Sequence, residues 1–190
     1  MKKLIILSVA CLGMWFTQSC GNNANNHQSE APVDSAQDIN ETVKPVDENS
    51  SKFAVEAANG SMMEVAFGKL AQDKGNSDRV KAFGTLLVND HSKAENEVKD
   101  LAGKKNITLP AELSDETKKH LDDMGKKSGK DFDKDFIDMM IDDHEKDIKK
   151  FEDASKNVTD PDLKAWATNT LPTLRAHLDS AKAIKDGLKK

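Results

Sequence analysis

Four apolar stripes at helical spacing, each carrying a single ionisable side chain, constrain this chain more than any other feature. The clearest is FDKDFIDMMIDDHEKDIKKF, Phe132 to Phe151. On a helix, Phe136 or Ile137, Met140, His144, Ile148 and Phe151 share one face, while Asp, Glu and Lys fill the other. At ~1.5 Å per residue this amphipathic helix is about 30 Å long, and its stripe carries His144 near the middle.

The same design recurs three times. Phe53, Ala57, Gly60, Glu64, Phe67 and Ala71 define a helix over 51–74. Gly75-Asn76 ends it, and Ser77 or Asp78 can cap the next. That second helix, to about Ala102, carries Val80, Phe83, Leu87, His91, Ala94, Val98 and Leu101. The short link makes the two antiparallel neighbours. The third helix continues from the 132–151 stretch to about Asn157. Asp160 caps a fourth, with Pro161 at its first position. Its stripe is Leu163, Ala167, Thr170, Leu174, His177, Ala181, Ile184 and Leu188. Pro172 interrupts this helix and predicts a kink. Between Gly103 and Gly129 lies an irregular stretch with a short helical turn from Ser114 to about Met124. A connection of that length suits a crossover running the length of a bundle. The expected fold is therefore all-α: four helices over residues 51–190, with a long crossover between the second and third.

The N-terminus reads as an address. Lys2 and Lys3 precede an apolar run, Leu4 to Phe16, that is short for a membrane span. Thr17-Gln18-Ser19 leads into Cys20-Gly21, which resembles a bacterial lipoprotein signal over residues 1–19 with Cys20 lipidated. An ordinary secretory signal cut nearby would leave Cys20 a bystander. Cys11 falls in the removed segment, so no intrachain disulfide remains for an oxidising compartment. Acylation would also protect the lone thiol, each buried CH₂ adding ~0.8 kcal/mol of anchoring. The expected location is the cell envelope, held to a membrane by lipid, in the outer membrane facing the periplasm or at the cell surface. Residues 20–50, polar and interrupted by Pro32 and Pro45, read as a disordered tether that includes a solvated His27. Loss of Lys2 and Lys3 takes the formal charge from −5 to −7. That charge argues against nucleic acid as a partner.

Glu64, His91, His144 and His177 stand one per helix. With the first link as the top of the bundle, they lie about 16, 24, 20 and 15 Å down if the crossover returns the chain to that end. His177 moves to about 25 Å if it does not. Either way the four share the middle third, where bundles build metal and cofactor sites. Three imidazoles and a carboxylate suit Zn, Cu, Fe or Ni. Met63 and Met140 flank the layer as weaker candidates whose thioethers would favour Cu(I). The competing reading is a hydrogen-bonded network that only fixes helix register, with the methionines as packing filler. His120, beside Lys118 and Lys119, reads as surface. The Glu-x-x-His pattern of dinuclear carboxylate enzymes is absent, since Val88, Ile141 and Leu174 stand three residues before the histidines. No catalytic nucleophile with a paired base stands out.

Several segments together carry a family resemblance: FAVEAANGSMMEVAFGKLA, NDHSKAENEV, the LP of ITLPAEL, GKDFDKDFIDMMIDDHEKDIKKFEDA and DPDLKAWATNTLPTLRAHL. From Phe53 to Leu188 the chain resembles the bacterial family called domain of unknown function 4142. The resemblance implies a ferritin-like bundle of the kind found on secreted proteins and lipoproteins. FIDMMIDDH is also similar to a helix of a small family linked to periplasmic copper, with Asp143 where that family has the first of two histidines. The resulting expectation is a non-enzymatic binding or stress-related envelope lipoprotein, with Cu or Zn, or a small ligand, at the polar layer. The alternative is a structural or protein-interaction module.

Overall fold

The computed structural model describes residues 31–188. The signal segment, Cys20 and His27 lie outside them. The described residues form six helices and no strands: α1 (Ala31–Val43), α2 (Glu48–Lys74), α3 (Asp78–Lys105), α4 (Asp115–Gly125), α5 (Gly129–Asn157) and α6 (Pro161–Leu188). None is long and apolar enough to cross a membrane.

The helix ends follow local chemistry. Ser77 caps α3, accepting from the Arg79 amide, and Ser114 caps α4, accepting from Thr117. Asp160 Oδ1 accepts from the Asp162 and Leu163 amides, with Pro161 in first position as expected. Asn106 closes α3 in the left-handed region, φ 55°. α6 continues as helix through Pro172.

Polar contacts between helix ends fix the directions. The Asp133 carboxylate, at the start of α5, accepts from the Asn76 and Ser77 amides, each at 2.8 Å. Arg79, at the start of α3, donates to the Ala183 carbonyl near the end of α6. At the other end, Lys105 of α3 meets Asp160 and Asp162 at the start of α6. There the Asp160 amide donates to Ser50 at the start of α2. α2 and α5 are therefore antiparallel, as are α3 and α6, and the segment between α3 and α5 returns the chain to the end where it began. α2 packs on α3 and α5 on α6. Contacts of α2 with α5 and of α3 with α6 close the ring, and α4 lies against α2 and α5.

The core is split in two. One apolar cluster contains Phe53, Val98, Phe151, Leu163 and Trp166, and the other Phe67, Phe83, Leu87, Phe132, Phe136 and Ile137. On every long helix the ionisable stripe residue stands between the two sets.

Where α2 crosses α3, two glycines set the approach. A Cβ on Gly84 would stand 2.6 Å from the Gly68 carbonyl oxygen and 2.9 Å from the Ala71 Cβ. The obstacle is backbone, so the helices themselves would have to part. We expect Gly84→Ala to lower stability by ~1–3 kcal/mol, as overpacking does. Its urea midpoint checks this, with Gly103→Ala, where nothing lies within 4 Å of the added carbon, as the control.

Two expectations are corrected. The tether does not extend to residue 50. Val33, Ala36 and Asn40, at helical spacing, bury one face of α1 against Val55 and Leu109. Asn40 clamps the crossover with both amide atoms: Nδ2 donates to the Thr108 carbonyl at 2.9 Å and Oδ1 accepts from its amide at 2.8 Å. Pro32 falls in the first turn, where proline is tolerated. The first long helix also begins at Glu48 rather than 51, because Asp47 caps it through the Ser50 amide. The folded unit thus starts about twenty residues before the predicted boundary.

Candidate metal centre

Each long helix delivers its polar stripe residue to one point. Glu64 of α2, His91 of α3, His144 of α5 and His177 of α6 are all at least 95% buried. The imidazole rings form a near-equilateral triangle, with centroids 5.7, 5.2 and 5.3 Å apart. One ring nitrogen from each histidine lies within 4.8 Å of the other two.

The hydrogen bonds sort the nitrogens. His144 Nδ1 donates to the Met140 carbonyl at 2.8 Å. His177 Nε2 donates to Asp90 Oδ2 at 2.8 Å. His91 Nδ1 is 2.7 Å from Glu64 Oε2, and Glu64 Oε1 stands 3.2 Å from His144 Nδ1. Every histidine thus has one nitrogen held by a carbonyl or carboxylate. The nitrogens left over are His91 Nε2, which has no partner, and His144 Nε2 and His177 Nδ1, which face each other at 3.2 Å.

Burial dominates the electrostatics. It pushes the Glu64 carboxyl up to about 8; the nearby His144 opposes this, while Asp147 and Asp143 add to it. It drives His91 down to about 4 against the pull of Asp147 and Asp90. His144 and His177 are also lowered, burial again being the largest cause. Burial therefore favours the neutral forms of both partners in the close contact between Glu64 and His91.

The family described as "Domain of unknown function (DUF4142)" matches residues 35–184, more than half of the chain. The chain belongs to the DUF4142 family. No curated protein and no solved structure matches it. The match begins within α1, in keeping with the packing of that helix onto the DUF4142 domain.

All four residues singled out from the DUF4142 sequence meet. The two methionines differ. Met140 is fully buried in the Phe136–Ile137 cluster, and it serves the centre through its carbonyl. Met63 is partly buried and lines an outer cleft with Asp143 and Asp147. His120 is exposed, as expected. Asp90 was not identified as part of the site, although it directly precedes His91. On α3 its side chain turns away from that ring, towards α6, and takes the outer nitrogen of His177. Asp90, His91 and His177 also line a cleft of about 600 Å³ between α3 and α6, whereas Glu64 and His144 do not.

Proposed function

We propose that this DUF4142 chain is a non-enzymatic metal-binding lipoprotein of the cell envelope, with a ferritin-like four-helix bundle holding one transition-metal ion on His91, His144 and His177. The observation that carries the reading is the 3.2 Å approach of His144 Nε2 to His177 Nδ1. A carbonyl only accepts, so His144 keeps its proton on Nδ1. The carboxylate likewise keeps the His177 proton on Nε2. In the neutral rings, two lone pairs then face each other. Either a third proton or a cation must lie between them, and burial of both rings disfavours the proton. Two nitrogens bound to one tetrahedral ion at ~2.0–2.1 Å would stand about 3.3 Å apart, close to the spacing found.

The outer contacts fit the same reading. Histidines that bind metal donate their other N–H to a carboxylate or carbonyl, which fixes tautomer and ring orientation. Asp90 and the Met140 carbonyl occupy those positions here, with Glu64 behind His91 and beside His144. Glu64 therefore orients ligands rather than serving as the fourth. Imidazole donors suit Cu and Zn.

The structural alternative has its own support. With a third proton shared between the two facing nitrogens, the chain from Asp90 through His177 and His144 to the Met140 carbonyl would bond three helices across the gap between two apolar clusters, as a register-setting layer would. Elemental analysis of protein purified without a tag or chelating resin separates the readings. One Cu or Zn per chain supports the centre. Protein that stays metal-free after incubation with each metal and desalting leaves the structural layer.

The address has a separate test. Cys20→Ser should release the protein from membranes into the soluble envelope fraction or block its processing. A variant that still fractionates with membranes and still incorporates labelled palmitate would end the lipoprotein reading.

A further inference from the structure

We propose that the metal on the three histidines keeps one coordination position open towards the α3–α6 cleft, and that this position takes a small neutral donor molecule from solvent. The inference rests on the metal reading above and adds a ligand class to it.

Donor count is the first argument. Glu64 is turned towards outer nitrogens: Oε2 lies 2.7 Å from His91 Nδ1, and Oε1, which has no hydrogen-bond partner, stands 3.2 Å from His144 Nδ1. Asp90 is likewise engaged at the outer nitrogen of His177. Both carboxylates act through an imidazole, which leaves three protein ligands. Sites with three protein ligands complete their shell with water or an exogenous molecule, whereas closed structural sites use four.

Direction is the second. His144 is fully buried on α5 and Glu64 nearly so on α2, and neither reaches the cleft. His91 and His177 both line it. The open position therefore lies on the His91–His177 side of the triangle, where Ala94, Thr170, Thr173 and Leu174 form the adjoining walls.

Charge selects the ligand. The cleft is lined by Asp90, Glu97, Asp100 and Asp162 against Lys93 and Lys104, so it carries two more acidic than basic groups. An anion would have to approach the three imidazoles through this negative mouth. A cation is drawn along the same route during loading, and a neutral molecule such as water or a diatomic gas meets no electrostatic barrier.

The test uses the protein loaded with Cu(I) under anaerobic conditions and carbon monoxide as the neutral probe. One carbon monoxide should bind per copper, seen as a new C–O stretch in the infrared. Thr173→Trp, an exposed substitution on the cleft wall one turn before His177, should slow uptake several-fold with copper content unchanged. Azide, the anionic probe, should leave the electron paramagnetic resonance spectrum of the Cu(II)-loaded protein unaltered. Copper bound without carbon monoxide would mean a closed centre and overturn the proposal while sparing the metal reading. Wild-type uptake in Thr173→Trp would remove the cleft as the route, and ready azide binding would refute the ligand class. Failure to bind copper or any other metal would overturn the metal reading, and this proposal with it.

Discussion

His144→Ala should abolish metal-induced stabilisation and also cost the protein about 2–4 kcal/mol in the absence of metal. Both effects follow from its place at one corner of the triangle. His144 is completely buried. Truncation opens a cavity between the apolar clusters and removes the neighbour that faces His177 Nδ1. For the wild-type protein, a metal present at 100 times its dissociation constant adds ~2.7 kcal/mol. For a folded domain of this size each kcal/mol raises the melting temperature by roughly 2–4 °C. Scanning calorimetry with and without Cu, Zn and Ni therefore reads both quantities. His120→Ala, exposed on α4, should match the wild type throughout. A wild-type melting curve indifferent to every metal, with His144→Ala still strongly destabilised, would establish the layer as structural.

Asp133→Ala should be nearly as damaging, by about 3 kcal/mol, although the residue is remote from the centre. Its carboxylate is 99% buried and accepts two backbone amides from the link between α2 and α3. Hydrogen bonds to a charged acceptor contribute ~1.5–3 kcal/mol each, and the two are not fully additive. The charge also sits at the N-terminus of α3, where a negative group is favoured. Asp133→Asn keeps the shape and one acceptor oxygen, so it should recover about half of the loss. Chemical unfolding of the three proteins checks the order. Equal midpoints for Asp133→Ala and wild type would refute it.

These two residues show how differently a sequence exposes its parts. His144 was legible because it breaks an apolar stripe, and a polar residue on a buried face requires partners. The same logic found Glu64, His91 and His177, and chain length along each helix placed them in the same middle third of the bundle. Asp133 was not legible. It precedes Lys134 in a stretch dense with acidic residues, and only the link packed on it tells it from Asp131 or Asp135. Asp90 was hidden for a related reason. It follows Asn89 on what reads as a solvated face, and its partner lies 87 residues away. α1 was missed because its buried face is small: Val33, Ala36 and Asn40 amid Asp, Gln and Ser. The two ring nitrogens of each histidine could not be sorted at all, since that depends on acceptors supplied by other helices or by the turn below.

The docking of α1 changes how far the domain can travel from a lipid on Cys20. A leash from 21 to 50 could pay out to roughly 100 Å at ~3.3–3.6 Å per residue. With α1 clamped to the crossover through Asn40, a lipid on Cys20, as proposed, would be separated from α1 by ten residues in sequence, and ten residues span at most ~35 Å. The body itself is about 40 Å long at the rise of its long helices. An anchored copy would therefore stay within about one body length of its bilayer and would meet chiefly what passes along that surface.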